Sequence, residues 1–263
     1  TAQWAADASV PAASYGIDAS EHVRAKRLYR AGGEQQLLVT AGHTLMPLTL
    51  KIPGDHMARA ALAAIATAWL FEFPIPEAIT GVEALTRIPG RMQRLPQSID
   101  TPVHIDAADT PDRLAVALHA LRQHQFGPTT VVHDLGARLE PQWRSRLGEV
   151  LQRNECRIVL SGSEMAPEAV QSMAMDVLGG VQSPGRVEVI PDREAAIAWA
   201  MERTSSGNVL LTGRGAEAWV NRDGEMRTDE GVVATWLDCR QQAPAIPQLN
   251  IFPPHGPNSI FSH

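Results

Sequence analysis

Apolar positions along the chain fall into two regimes that meet near residue 101. Before it, residues 23–53 alternate in part between apolar and polar, the period of half-buried strands. Runs at Val23–Ala31, Gln35–Ala41 and Leu45–Pro53 read as three strands. Gly32-Gly33 and Gly42-His43 separate them and suit hairpin turns. Leu62, Ile65, Ala66, Leu70 and Phe73 then recur at helical spacing, which predicts a helix from His56 to about Phe73 with Asp55 as its N-cap. Pro74 and Pro76 stop it, and Pro76-Glu77 begin a second helix that runs through Leu85. Pro89-Gly90 close this unit, and residues 1–20, small and polar without a period, read as an irregular lead-in.

After residue 101, strand and helix alternate regularly. Strands are expected at Val103–Ala107, Thr130–His133, Arg157–Ser161, Val187–Ile190 and Val209–Thr212. Helices are expected at Pro111–Gln123, Pro141–Arg153, Pro167–Leu178 and Arg193–Arg203. The strands are short and β-branched, as in a buried parallel sheet, and short right-handed crossovers make the unit doubly wound α/β. Asn221-Arg222-Asp223-Gly224 reads as a hairpin turn, Gly231–Leu237 as a last short helix, and the Pro- and Asn-rich end as a surface segment. The expected division is therefore 1–97, a small antiparallel sheet with helices, and 98–263, an α/β domain with a surface tail over 238–263.

Composition narrows the chemistry. The 263 residues are 44% hydrophobic, enough for one large or two medium cores, and the net charge of -6 shows no basic stripe for nucleic acid. Only two lysines occur, Lys26 and Lys51, neither in a Gly-rich context, and G-x-x-x-x-G-K-[ST] is found nowhere. Two cysteines, Cys156 and Cys239, lie far apart without metal or CxxC spacing, so the cytoplasm is the expected compartment. The most apolar stretch, Ala58–Phe73, is too short to span a bilayer comfortably, and a chain opening on Thr1 reads as trimmed or partial. The nine histidines are dispersed and define no metal site. His133-Asp134, at a strand end, reads as either an acid–base pair or a structural histidine beside a carboxylate.

Four segments, in order, resemble the Mur ligases, which use ATP to form amide bonds in peptidoglycan precursors; the tripeptide synthetases are the branch most resembled. Gly54-Asp55-His56-Met57-Ala58-Arg59-Ala60-Ala61-Leu62-Ala63-Ala64 is similar to G-x-H-N-x-x-N-A-L-A-A, with Met57 and Ala60 in place of both asparagines. Ile88-Pro89-Gly90-Arg91-Met92 resembles V-P-G-R-M. Ile105-Asp106-Ala107-Ala108-Asp109-Thr110-Pro111-Asp112 resembles V-D-Y-A-H-T-P-D, with Ala107 and Asp109 for the tyrosine and histidine. Gly213-Arg214-Gly215-Ala216-Glu217 resembles G-K-G-H-E. Two other signatures have faded. Ser163-Glu164-Met165-Ala166 stands where D-N-P-R is expected in diaminopimelate-adding members, so the arginine that clamps a substrate carboxylate is missing there. His133–Glu140 stands for a basic segment and has lost most of its charge.

The resemblance implies the end of a Mur central domain followed by the Rossmann-like C-terminal domain. It implies nucleotide contacts at His56, Arg91 and Asp106, and substrate contacts at Gly213, Gly215 and Glu217. Each residue also has a local account: His56 begins a helix, Arg91 follows a turn, and Glu217 follows a strand end. No catalytic or metal-binding residue is carried over. ATP and magnesium, a UDP-muramyl peptide and an amino acid are implied for a full-length active protein. The alternative is a non-catalytic Mur-like binding or scaffold protein, a pseudoenzyme.

Overall fold

The computed structural model describes residues 11–18, 20–96, 101–124, 127–136 and 139–242. The first sheet has the order β1-β2-β3-β4: β1 (Tyr15–Ile17), β2 (Val23–Ala31), β3 (Glu34–Ala41) and β4 (Thr44–Leu50). The three long strands are the expected antiparallel ones. Gly32 and Gly33, both at positive φ, close the first hairpin between Ala31 and Glu34. β1 lies within the stretch expected to be irregular: three residues are too few to show a period, and Tyr15 pairs with Val23 in parallel.

Alternation gives the sheet one apolar face, carrying Val23, Ala25, Leu37, Val39, Leu48 and Leu50. Helix α1 (Asp55–Leu70) lays Ala58, Leu62 and Ile65 on it, and α2 (Ile75–Glu83) adds Ile75 and Ile79. Leu62 and Ile65 are completely buried, each worth roughly 1.5–3 kcal/mol of transfer free energy. Helix α1 starts one residue earlier than expected. Gly54 is its N-cap, because Asp55 turns away to accept hydrogen bonds from Arg27 (3.0 Å) and Arg30 (2.5 Å).

The second sheet has the order β5-β6-β10-β7-β8-β9. Its strands are β5 (Gln93–Arg94), β6 (Val103–Asp106), β7 (Thr129–Asp134), β8 (Arg157–Ser161), β9 (Val187–Val189) and β10 (Asn208–Thr212). All pair in parallel except β5, which runs antiparallel to β6. The boundary expected after residue 97 lies outside the described residues, and β5, just before it, already belongs to this sheet. Helices α3 (Pro111–Gln123), α4 (Pro141–Arg153) and α5 (Pro167–Leu178) each open with proline in the first turn, where a missing N–H costs nothing. They bury Leu114, Leu147 and Val170 against one face, with Val131, Ile158, Leu160 and Leu210.

Helix α6 (Arg193–Arg203) and helix α7 (Asp229–Gln242) cover the other face, where Ala196, Ile197, Val232 and Val233 meet Val132, Val159, Val209 and Leu211. A short hairpin, β11 (Trp219–Val220) with β12 (Met226–Arg227), connects β10 to α7. Helix α7 runs to Gln242, so it continues into the stretch expected as a tail from residue 238. Its polar last turn (Arg240, Gln241, Gln242) hides the helical period. The remainder of that tail lies outside the described residues.

Candidate functional site

The last strand of the second sheet, β10, sits between its first two parallel strands, β6 and β7. Connections after β6 and β7 pass to the α3–α5 face, whereas the chain after β10 passes to the α7 face. The loops therefore part at the carboxyl end of β10 and leave a crevice, the position where open α/β sheets bind ligands. A cavity of about 210 Å³ lies there. Asp109 reaches it from the loop after β6, Asp134 and Gly136 from the end of β7, Glu164 from the loop after β8, and Gly213, Arg214 and Glu217 from the loop after β10.

Backbone contacts fix that last loop. Gly213 has φ +101, and a Cβ there would stand 2.9 Å from the Asp134 backbone oxygen. Gly215 has φ +61, and its Cβ would meet Ala107 Cβ at 2.6 Å. Gly90 completes the junction, since a Cβ would fall 2.3 Å from Ala216 N, and its carbonyl accepts from Ala107 N at 2.8 Å. The Pro89-Gly90 turn, the end of β6 and the β10 loop thus pack main chain on main chain.

This junction separates two groups of the residues expected from sequence. On one side stand His56, Arg91 and Asp106. Asp106 is buried and accepts from Met92 N at 2.8 Å. Burial raises its pKa, while the Met92 N–H and the Arg91 charge pull it back. His56 is held below its ordinary pKa by burial, Asp55 opposing and Arg91 adding to the effect. The exposed Arg91 charge is therefore felt by both. His56 Nδ1 is buried and has no hydrogen-bond partner among the described residues. On the other side, Gly213 and exposed Glu217 line the cavity, the Glu217 N–H donating to Arg214 O at 3.1 Å, while Gly215 packs on Ala107 and does not line it.

His133 and Asp134 are consecutive on β7 and diverge to opposite faces. His133 shares a hydrogen bond with Thr212 Oγ1 (2.9 Å), and burial pushes its pKa down to about 4, so it is a neutral core residue. Asp134 accepts from Ser163 N (2.9 Å), Ser163 Oγ (2.5 Å) and Gly136 N (2.7 Å). Arg193 and Arg214 flank it at 3.7 Å, and its pKa is lowered despite the opposing effect of burial, Arg193 being the main lowering influence.

Sequence reasoning missed the charges beneath this site. Arg193 is fully buried and forms a two-pronged pair with Asp229, Nε–Oδ1 2.8 Å and Nη2–Oδ2 2.6 Å. It also donates to Ser161 Oγ (3.1 Å) and Thr212 O (3.2 Å), and Trp219 Nε1 donates to Asp229 at 3.3 Å. A signal was present in the periodicity. Arg193, Ala196, Ile197 and Ala200 form one i, i+3, i+4, i+7 stripe, and Asp229, Val232, Val233 and Trp236 another, so each helix opens its apolar stripe with a charge.

The fold and its crevice define a doubly wound, Rossmann-like domain attached to a small sheet-and-helix unit. Residues 90–215 match the Mur ligase, glutamate ligase domain. The chain is 32% identical over 158 residues to a UDP-N-acetylmuramoyl-L-alanyl-D-glutamate–2,6-diaminopimelate ligase of Synechococcus elongatus, covering 59% of this chain and 32% of the relative. It is 27% identical over 216 residues to the enzyme of that name from Acidovorax, covering 81% of this chain and 43% of the relative. Among solved structures, MurF from Acinetobacter baumannii superimposes with a TM-score of 0.64 at 18% identity, over 86% of this chain and 47% of that one, a likeness of fold. Residues 90–215 thus carry the likeness to the Mur ligases, and the relatives named here are ligases of that family. The chain spans 32% and 43% of the length of these two relatives.

Proposed function

We propose that this chain is the closing part of an ATP-dependent, amide-forming ligase of the muramyl-peptide type, acting in the cytoplasm. One observation carries the reading: the β10 loop is locked onto the Pro89-Gly90 turn, which sets His56, Arg91 and Asp106 beside the cavity of Gly213, Arg214 and Glu217. The first group would hold the nucleotide. His56 brings a buried nitrogen without a partner, Arg91 an exposed guanidinium suited to phosphate, and Asp106 a carboxylate anchored for a hydroxyl. The second group would hold the incoming amino acid, with Glu217 receiving its ammonium group.

ATP, when bound, supplies the phosphoryl group that activates a carboxylate. This chain's own residues orient the two reactants and exclude water when the domains close. Among the described residues no group of three or more His, Cys, Asp or Glu side chains is placed to hold a metal ion. Cys156 and Cys239 are both unpaired, in keeping with a reducing compartment.

The test is ADP release by the full-length protein. The expected result is release that requires both a UDP-muramyl peptide and an amino acid, with Asp106→Ala weakening nucleotide binding about tenfold or more. One observation favours the second reading, a non-catalytic Mur-like module. Met57 and Ala60 line a small apolar cavity of about 130 Å³ with Leu50, Ile52 and Ile88, where the resemblance has asparagines. A full-length protein that binds nucleotide but releases no ADP with any amino acid would establish that reading instead.

A further inference from the structure

We propose that Arg214 is the side chain that takes the carboxylate of the incoming amino acid, held in place by a line of buried charges behind it. The identity of the ligand rests on the ligase reading above; the geometry does not. Five charged groups alternate in sign from the α7 face of the sheet to the cavity: Asp229, Arg193, Asp134, Arg214 and Glu164. Successive charge contacts are 2.6, 3.7, 3.7 and 2.9 Å. Side-chain exposure rises along the line, from 0% at Asp229 and Arg193, through 1% at Asp134 and 16% at Arg214, to 43% at Glu164. The line ends at the cavity, and Arg214 is the one basic side chain on its described wall.

The donors are unevenly used. Arg214 Nη2 donates to Glu164 Oε2 at 2.9 Å and to Ser163 O at 3.4 Å. Its Nε stands 3.7 Å from Asp134, a charge contact without a hydrogen bond, because Asp134 already accepts from Ser163 and Gly136. No hydrogen bond to a described residue uses Nη1. A guanidinium fixed on one edge, with its Nη1 N–H groups left over beside a cavity, can donate a charge-assisted hydrogen bond to a carboxylate. Arg193 makes this arrangement possible. Without it, Asp134 and Asp229 would be two buried carboxylates, and Asp134 would draw Arg214 inward. Arg193 is thus a positioning residue, and Arg214 the contact. The carboxylates of Glu217 and Asp109 on the same cavity complete a wall complementary to a zwitterion.

The experiment is calorimetric titration of the full-length protein with free amino acids (L-lysine, L-alanine and meso-diaminopimelate) and with the carboxamides of the first two. Wild type is expected to bind at least one free acid about tenfold or more tightly than its amide. Arg214→Gln should abolish that preference with unchanged melting temperature, and Arg214→Lys should restore part of it. Arg193→Lys, where it folds, should lower the preference while leaving nucleotide affinity unchanged. An acid-to-amide ratio unaltered in Arg214→Gln overturns the proposal, as does failure of every free acid to bind. Acid preference without ADP release would sink the ligase reading and leave Arg214 in its role. ADP release with an unaltered ratio would do the reverse.

Discussion

A fully buried arginine is costly to desolvate, and Arg193 is retained only because every side of its guanidinium meets an acceptor or a carboxylate. The pKa directions agree with this, since Asp229, the larger influence, and Asp134 more than offset desolvation and raise the arginine further. Breaking one partner of a buried pair leaves the other charge stranded, at about 3–5 kcal/mol. Arg193→Met should therefore lose that much stability in urea unfolding. His133 sets a second, pH-dependent cost. Its pKa is about 4 folded against 6.5 unfolded, so the unfolded chain takes up the proton first as pH falls. Stability from keeping it neutral is complete above pH 6.5, declines between 6.5 and 4, and levels off below, a loss on the order of 3 kcal/mol. His104, pushed down to about 3 by burial, adds a loss of the same sign. Urea midpoints measured from pH 7 to 4 should fall, and His133→Leu should flatten the decline; an equally steep slope in that variant would assign the loss to other groups.

Elements show what a sequence can and cannot disclose. The three long strands of the first sheet were legible through partial alternation, the four α/β helices through helical spacing, and the five parallel strands as short β-branched runs that alternate with those helices. β1 and β5 were not, being three and two residues long and lying outside the regular alternation of elements. The end of α7 was hidden by polar residues on an exposed turn. Among the site residues, Asp106, Gly213 and Gly215 stood out through motif order, but a motif does not say that Gly90 and Gly215 meet across the junction. Gly90 offers the test: φ is +65 and a Cβ would strike Ala216 N. Gly90→Ala should cost about 1–3 kcal/mol in strain and separate the β10 loop from β6. Gly185→Ala, with nothing within 4 Å and no positive φ, should leave thermal unfolding unchanged.

At the scale of the molecule, the two units meet through few, specific contacts around α3. His124 Nε2 accepts from Gly54 N at 3.2 Å, its carbonyl accepts from Gly32 N at 3.4 Å, and Ile52 joins the core beside α3. Arg87 and Gln93 both reach Glu230 on α7, at 3.3 and 3.0 Å. The group His56, Arg91 and Asp106, proposed above to hold nucleotide, therefore draws on both units. Removing Glu230 with Glu230→Ala should weaken nucleotide binding by the full-length protein only slightly, about twofold, since its Arg87 pair is exposed and such pairs contribute at most about 1 kcal/mol.

The place of β10 in the second sheet has a consequence for how the protein is made. A ribosome releases β6 and β7 long before Asn208–Thr212, yet these strands touch only through the latecomer between them. Until it arrives, each of the two offers an open edge, and the growing domain cannot seal its centre. Nascent chains stalled at residue 203 should remain sensitive to protease within 101–203, and those extended past 212 and clear of the exit tunnel should become resistant. Resistance already present at the shorter length would mean that the sheet closes by some other order of assembly.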